Sequence, residues 1–230
     1  MRYGVFLGAL AALAVVTASP HAAEGRIPIH SVTTITSPGH YILTRNIGDF
    51  TATAITIAAS DVDLDLNGFT VTGLDPAISA QNVRGVTIHD GSVVAYEDGV
   101  ILTDVNDFEL RRLVVQSLED CALSVSGTGG VVQENRIQAT LYGICVSGSG
   151  VRVAHNVIRG AGIDAIVVYG DRNYLDGNLL TANGVGLHFA TGSWQNAYRA
   201  NMARGNASAD FWDQGTGNSS NGDNFMPSKF

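Results

Sequence analysis

The sequence predicts an all-β fold, a parallel solenoid of about eight coils whose strands make three parallel sheets. Three observations carry this. A corner motif appears first at Asn67 in DVDLDLNGFTVTG. Its position recurs at Gly91, Leu113, Asn135, Asn156, Asn178, Asn201 and Asn224, in steps of 24, 22, 22, 21, 22, 23 and 23 residues. A second motif keeps the same beat: AITI, AISA, GVIL, ALSV, GICV, AIVV and GLHF, starting at residues 54, 77, 99, 122, 143, 165 and 186. Finally, no apolar face at 3.6-residue spacing persists through any repeat, whereas apolar and polar residues alternate as in half-buried strands. The same strand order in every repeat excludes a hairpin meander, so Asn67-Gly68 reads as a corner of one coil rather than a hairpin tip.

Taken in order, residues 1–23 read as a secretory signal peptide, with Arg2, an apolar run too short to span a bilayer comfortably, and small residues before a cut after Ala18 or Ala23. Residues 24–50 are expected to cap the solenoid and lead into it, 51–226 to form its coils, and 227–230 to be a tail. No second hydrophobic span follows, which places the mature chain as a secreted or periplasmic protein. Removing Arg2 takes the net charge from −8 to −9, so nucleic acid and anionic lipid are excluded as partners. Lys229 is the only lysine, which excludes chemistry that needs an internal one.

Within each repeat a short strand (Ile144 and Val146 inward) leads through a polar turn to a second strand (Val151, Val153). The corner asparagine, a third strand (Ile158) and a glycine-rich return follow. A corner leaves backbone groups that a parallel ladder cannot pair. Asparagine tolerates left-handed backbone, and its amide both donates and accepts. A structural ladder of Asn67, Asn135, Asn156, Asn178, Asn201 and Asn224 is therefore expected, weakest at Leu113. Cys121 and Cys145 fit an oxidising compartment, as one disulfide or as two packed thiols. Phe211, Trp212, Phe225 and Phe230 read as a plug over the open end of the core, or as a platform for sugar stacking.

The unit G-I-x-V-x-G-x-G-V-x-V-x-x-N-x-I, as in GICVSGSGVRVAHNVI, resembles the right-handed parallel β-helix repeat of the pectate-lyase-like superfamily, and SPGHYILTRNIGDFTATAITI resembles the lead-in coil of small exported members. The resemblance covers nearly all the mature chain and implies the fold. It also implies that a polysaccharide lies along the sheet built from the first strands.

The outward positions of that strand are Thr56, Ser79, Ile101, Ser124, Cys145, Val167, His188 and Trp212. The turns entering it carry Asp75, Glu97 and Asp98, Glu119 and Asp120, Tyr142 and Asp164, and the turns leaving it carry Asp104, Asp107, Tyr169, Asp171, Arg172 and Trp194. Acids one or two coils apart suit general acid–base work on a glycosidic bond, or Ca²⁺ bound by oxygens beside a uronate. Asp98, Asp120, Asp164, Tyr169, Arg172 and His188 are the catalytic candidates. Trp194, Trp212 and Tyr142 are the substrate-binding ones, and Glu97, Asp98, Glu119 and Asp120 the calcium ligands. The same acids could simply keep exposed turns soluble. Asp90, Arg112, Glu134 and His155, with His89 and Arg111 beside them, read as a surface ladder of ion pairs.

Phosphate loops, His-Glu-x-x-His, Gly-x-Ser-x-Gly and cysteine metal spacings are missing from the sequence, as are the aspartate motifs of polygalacturonases and the Asp-Pro-His-Asp of mannuronate epimerases. Three classes follow: a lyase, epimerase or glycoside hydrolase acting on an acidic polysaccharide; a non-catalytic carbohydrate-binding protein; and a structural or assembly component of the cell envelope. The sequence does not decide the oligomeric state.

Overall fold

The structure is a computed structural model, and it describes residues 25–228. The signal segment, Phe230 and Lys229 lie outside the described residues. Every described strand pairing is parallel, and the strands stack into a β-helix of about eight coils containing no helix among the described residues. Parallel strands with the natural right-handed twist, joined by crossovers, wind right-handedly.

Sheet one stacks Thr33–Ile35, Ile55–Ile57, Ile78–Gln81, Val100–Thr103, Cys121–Val125, the ends of Arg136–Val146 and Val157–Val168, Val185–Phe189 and Ala209–Asp213. Sheet two begins with Ile27–Ile29 on Gly39–Leu43 and Val62–Asp65, and ends at Ala197–Arg199 on Ser219–Ser220. Sheet three begins with Ile47–Gly48 on Thr70–Gly73 and ends at Met202–Arg204. Residues 27–48 are thus already strands of the helix.

Register explains the two motifs. Ile55, Ile78, Val100, Leu123, Ile144, Ile166 and Leu187 form one inward column, each fully buried. Truncating such a residue to alanine costs about 2–5 kcal/mol. The small residue opening each first strand sits where sheet three turns into sheet one. A Cβ at Gly99 would lie 2.3 Å from the Ala122 carbonyl oxygen of the next coil, and one at Gly143 would lie 2.3 Å from that of Ala165. The end of the core is closed from within: Phe189, Tyr198 and Phe211 pack ring on ring, and Met226 is buried. Trp212 points outward instead, and Phe225 is more than half exposed.

The asparagine column is a continuous hydrogen-bonded ladder from Asn135 onward. Asn135 Oδ1 accepts the Leu113 main-chain N–H. The Oδ1 atoms of Asn156, Asn178, Asn201 and Asn224 each accept both the main-chain N–H and the Nδ2 of the preceding asparagine, at 2.9–3.1 Å. Each Nδ2 also reaches a carbonyl one coil back, as Asn156 does to Val132 at 2.9 Å. Asn67 stands apart: it is exposed, and its Nδ2 bonds only the Leu43 carbonyl. With Gly68 it forms a tight turn, both residues left-handed (φ +51° and +77°) and Phe69 N–H donating to the Leu66 carbonyl at 2.8 Å. This is a type I′ geometry used to join two strands of one coil rather than a hairpin.

At the later corners the left-handed residue is the one before the corner position held by Gly91, Leu113 and then the asparagines: Asp90, Arg112, Glu134, His155 and Ala200 all have φ of +50° to +60°. Two further ladders went unforeseen. Asn173, Asn196 and Asn218 hold the corner between sheets one and two. Asn183 and Asn206 hold the one between sheets three and one.

Candidate functional site

Sheet one's outer face gathers most of the residues singled out for chemistry. Cys121 and Cys145 are joined by a disulfide across neighbouring coils. The bridge, Val167 and Ala190 form a small buried apolar patch with Tyr142 packed on it, although Val167 points away from the core. Tyr142 and Asp164 are register partners one coil apart. His188 lies a coil further on; its Nδ1 is 3.1 Å from Asp164 Oδ2 and its Nε2 is 3.1 Å from Gln214 Oε1. Trp212 stacks flat on that imidazole at 4.5 Å. Burial alone would push His188 down, but the hydrogen bond and charge of Asp164 outweigh it and hold the imidazole above its usual pKa. Asp164 is 4% exposed, and its Oδ1 has no hydrogen-bond partner.

The acidic turns lie on the amino-terminal side. Burial, with the charges of Asp120 and Asp75, pushes Asp98 up to about 7. Its carboxylate lies within 4.8 Å of that of Asp120, which is exposed. Glu97 turns to hydrogen-bond Asp75, an interaction that also raises its pKa, and Glu119 accepts the Tyr96 hydroxyl at 2.6 Å. The four proposed calcium ligands therefore do not converge. Only Asp98 and Asp120 do, and Cys121 beside them is spent in the disulfide. Two carboxylates supply at most four of the six to eight oxygens that Ca²⁺ takes, so carbonyls or water would have to provide the rest. Tyr169 is half exposed and close enough to Tyr142, Asp164 and Asp120 for their charge to add to burial in raising its pKa. Arg172 and Trp194 do not join this group. They sit on the turn leaving the sheet, the guanidinium 5.0 Å above the indole and 3.0 Å from Asp171.

A second constellation lies on sheet two, where the sequence suggested only alternating charges. Arg112 grips both oxygens of Asp90, at 2.5 and 2.7 Å, which holds that carboxyl well below the usual range. Neither Glu134 nor His155 makes an ion pair with a described residue, so the alternation stops there. It extends the other way. His89, nearly buried, places Nδ1 2.6 Å from Asp90 and Nε2 2.9 Å from Asp63, whose other oxygen is 3.0 Å from His40 Nδ1. Asp65, register partner of His89, completes the group, its Oδ2 held by Arg26 at 2.8 Å. Ligand atoms of Asp65, His89 and Asp90 all lie within 4.8 Å of one another.

The family model for the periplasmic copper-binding protein NosD matches residues 29–225. The chain belongs to the NosD family. NosD proteins are periplasmic, one of the two destinations expected from the sequence, and no described helix is long and apolar enough to cross a membrane. No curated protein and no solved structure matches the chain.

Which residues of this NosD-family chain fit copper depends on donor chemistry. A soft, sulfur-rich set for Cu(I) is not assembled among the described residues, because both cysteines are bridged and Met202 and Met226 lie on the last coils, one exposed and one buried. Imidazole with carboxylates is a Cu(II) set, and the His89 cluster offers it.

Proposed function

We propose that this periplasmic β-helix binds Cu(II) on the outer face of sheet two through His89, Asp65 and Asp90, with Asp63 and His40 beside them. The convergence of one imidazole and two carboxylates within 4.8 Å carries the reading. Bound there, copper would supply a redox-active, strongly Lewis-acidic centre. The chain's own part is to position the ligands: coil stacking fixes Asp65 opposite His89, and Asp63 orients the ring through Nε2. Arg26 and Arg112 already neutralise Asp65 and Asp90, so metal entry must loosen those pairs and take one ring nitrogen from its carboxylate.

Titration with Cu(II) followed by electron paramagnetic resonance tests this. One equivalent with imidazole nitrogen couplings is expected, lost in His89→Ala and weakened in Asp65→Asn. Unchanged stoichiometric binding in His89→Ala would refute the site.

A second reading concerns sheet one. A polysaccharide lying across its coils is supported by Asp98, pushed up to about 7, standing next to the exposed Asp120. Such a pair can donate and accept a proton at one glycosidic bond. Incubation with a glycan panel is expected to give product that Asp98→Asn abolishes. Binding without product would leave a carbohydrate-binding face, and neither would remove the reading.

A further inference from the structure

We infer that the outer face of sheet one takes a polycation rather than an acidic polymer, specifically a polysaccharide carrying protonated amino groups, with Asp164 receiving one ammonium. The inference rests on the sheet-one reading above and names the substrate class of that face.

Charge is the first support. Asp75, Glu97, Asp98, Glu119, Asp120 and Asp164 succeed one another along the coils. Burial raises the pKa of Asp98 most, and the charges of Asp120, Asp75 and Glu97 add to it. Arg172, which a uronate would need, is committed to Asp171 and Trp194 on another turn. An acidic polymer would add negative charge to this stripe, whereas an amine would relieve it.

Asp164 is the independent observation. It is 4% exposed, its Oδ2 is satisfied by His188, and its Oδ1 is buried without a partner. Leaving a buried acceptor unpaired is costly, and more so for a charged group. A ligand N–H donor would remove that cost, and an ammonium would do so with a charge-assisted bond. The surroundings suit a sugar carrying such a group. Tyr142 packs over the disulfide beside Asp164, Tyr169 presents half its surface, and Trp212 lies flat on His188. Aromatic rings accept both sugar faces and cations. Acids stand on three successive coils at Asp75, Asp98 and Asp120 and, past Tyr142, again at Asp164, and a row stepping roughly 4.8 Å per coil matches a polymer better than a single amine.

The test is calorimetric binding of three oligosaccharides of equal length: glucosamine, N-acetylglucosamine and galacturonate, at a pH where the amines are charged. Glucosamine oligomers are expected to bind at least about tenfold more tightly than the acetylated ones, with a preference that shrinks in high salt. Asp164→Asn should erase most of that preference while sparing acetylated binding. If that variant does not fold, Asp120→Asn, at an exposed position, should reduce the preference in the same direction. Equal affinity for charged and acetylated oligomers, or preference for galacturonate, overturns the cationic assignment and leaves the sheet-one reading standing. Equally tight binding of oligolysine overturns the sugar part in favour of a basic peptide. Binding of none of these overturns both.

Discussion

Up to residue 113 the corners between sheets two and three carry no buried carboxamide of their own, whereas from Asn135 to Asn201 each carries one. Asn67 is exposed and makes one side-chain bond to a neighbouring coil, and the next corners carry Asp90 and Arg112, paired in the open. Asn135, Asn156, Asn178 and Asn201 are at most 2% exposed and bonded above and below. The fold needs a left-handed residue at this corner throughout, and both halves supply it. They differ in how the freed backbone groups are satisfied. The open half leaves charged groups exposed on sheet two, beside the cluster of Asp65, His89 and Asp90, and the carboxamide half trades such groups for buried hydrogen bonds.

The largest effect expected is at the middle of the ladder. Asn178→Ala removes the one oxygen that accepts two bonds from Asn156, orphaning a buried main-chain N–H and one Nδ2 hydrogen. At about 1–3 kcal/mol per orphan, the two together should cost about 2–6 kcal/mol. Asn67→Ala should cost about 1 kcal/mol, mainly for placing alanine at φ +51°. Urea denaturation of both variants checks the contrast, and equal losses would dissolve the distinction between the halves. Where they meet, the Cys121–Cys145 bridge closes a segment with a sequence separation of 24. Replacing both cysteines by alanine should remove about 3 kcal/mol by the chain-entropy relation, read from the same denaturation curves.

Asp98 sharpens the comparison through pH. Its folded pKa of about 7 lies above the unfolded value, so the folded state holds its proton more tightly. The stability this contributes is complete below about pH 4 and is lost as pH rises through 7. Asp98→Asn should therefore melt with wild type near pH 4 and above it at pH 8. Melting curves that stay parallel across that range would mean the acid is not held in the low-dielectric, repulsive surroundings described.

The beat of the coils was legible because every turn spends the same positions on the core, so two motifs repeat whatever the surface does. The left-handed residue was assigned one place late. Arg112, Glu134 and Ala200 are not residues whose side chains favour positive φ; stacking on the neighbouring coils imposes it. Asn173, Asn196 and Asn218 were overlooked because their ladder spans only the last coils, too few to stand out as a period. The His40–Asp63–His89 cluster was hidden by Asn67-Gly68. The step between coils is 24 residues before that turn and 22 after it, and His40 lies in a segment read as a cap. On sheet one, Asp98, Asp120, Tyr142, Asp164, Tyr169 and His188 could be grouped by counting alone. That Glu97, Glu119 and Arg172 turn elsewhere depends on rotamers, which spacing does not specify.

The smallest effect separates pairing from backbone strain at the exposed corner. Arg112 and Asp90 form a bidentate pair, but both side chains are about two-fifths exposed. Solvent screening therefore limits the pair to about 0.2–1 kcal/mol. Asp90 is held below its unfolded pKa, so the contribution is present above about pH 4 and is lost as pH falls through the folded value. Arg112→Ala should lose that amount at neutral pH and nothing in strong acid. Arg112→Gly loses the same pair but gains a residue that adopts φ +51° without strain, an offset of about 1 kcal/mol. The glycine variant should therefore match or exceed wild type in urea while the alanine variant falls below it. If both fall together, the ion pair rather than the left-handed backbone governs the corner, and the amino-terminal half depends on its charges for stability as the other half depends on its asparagines.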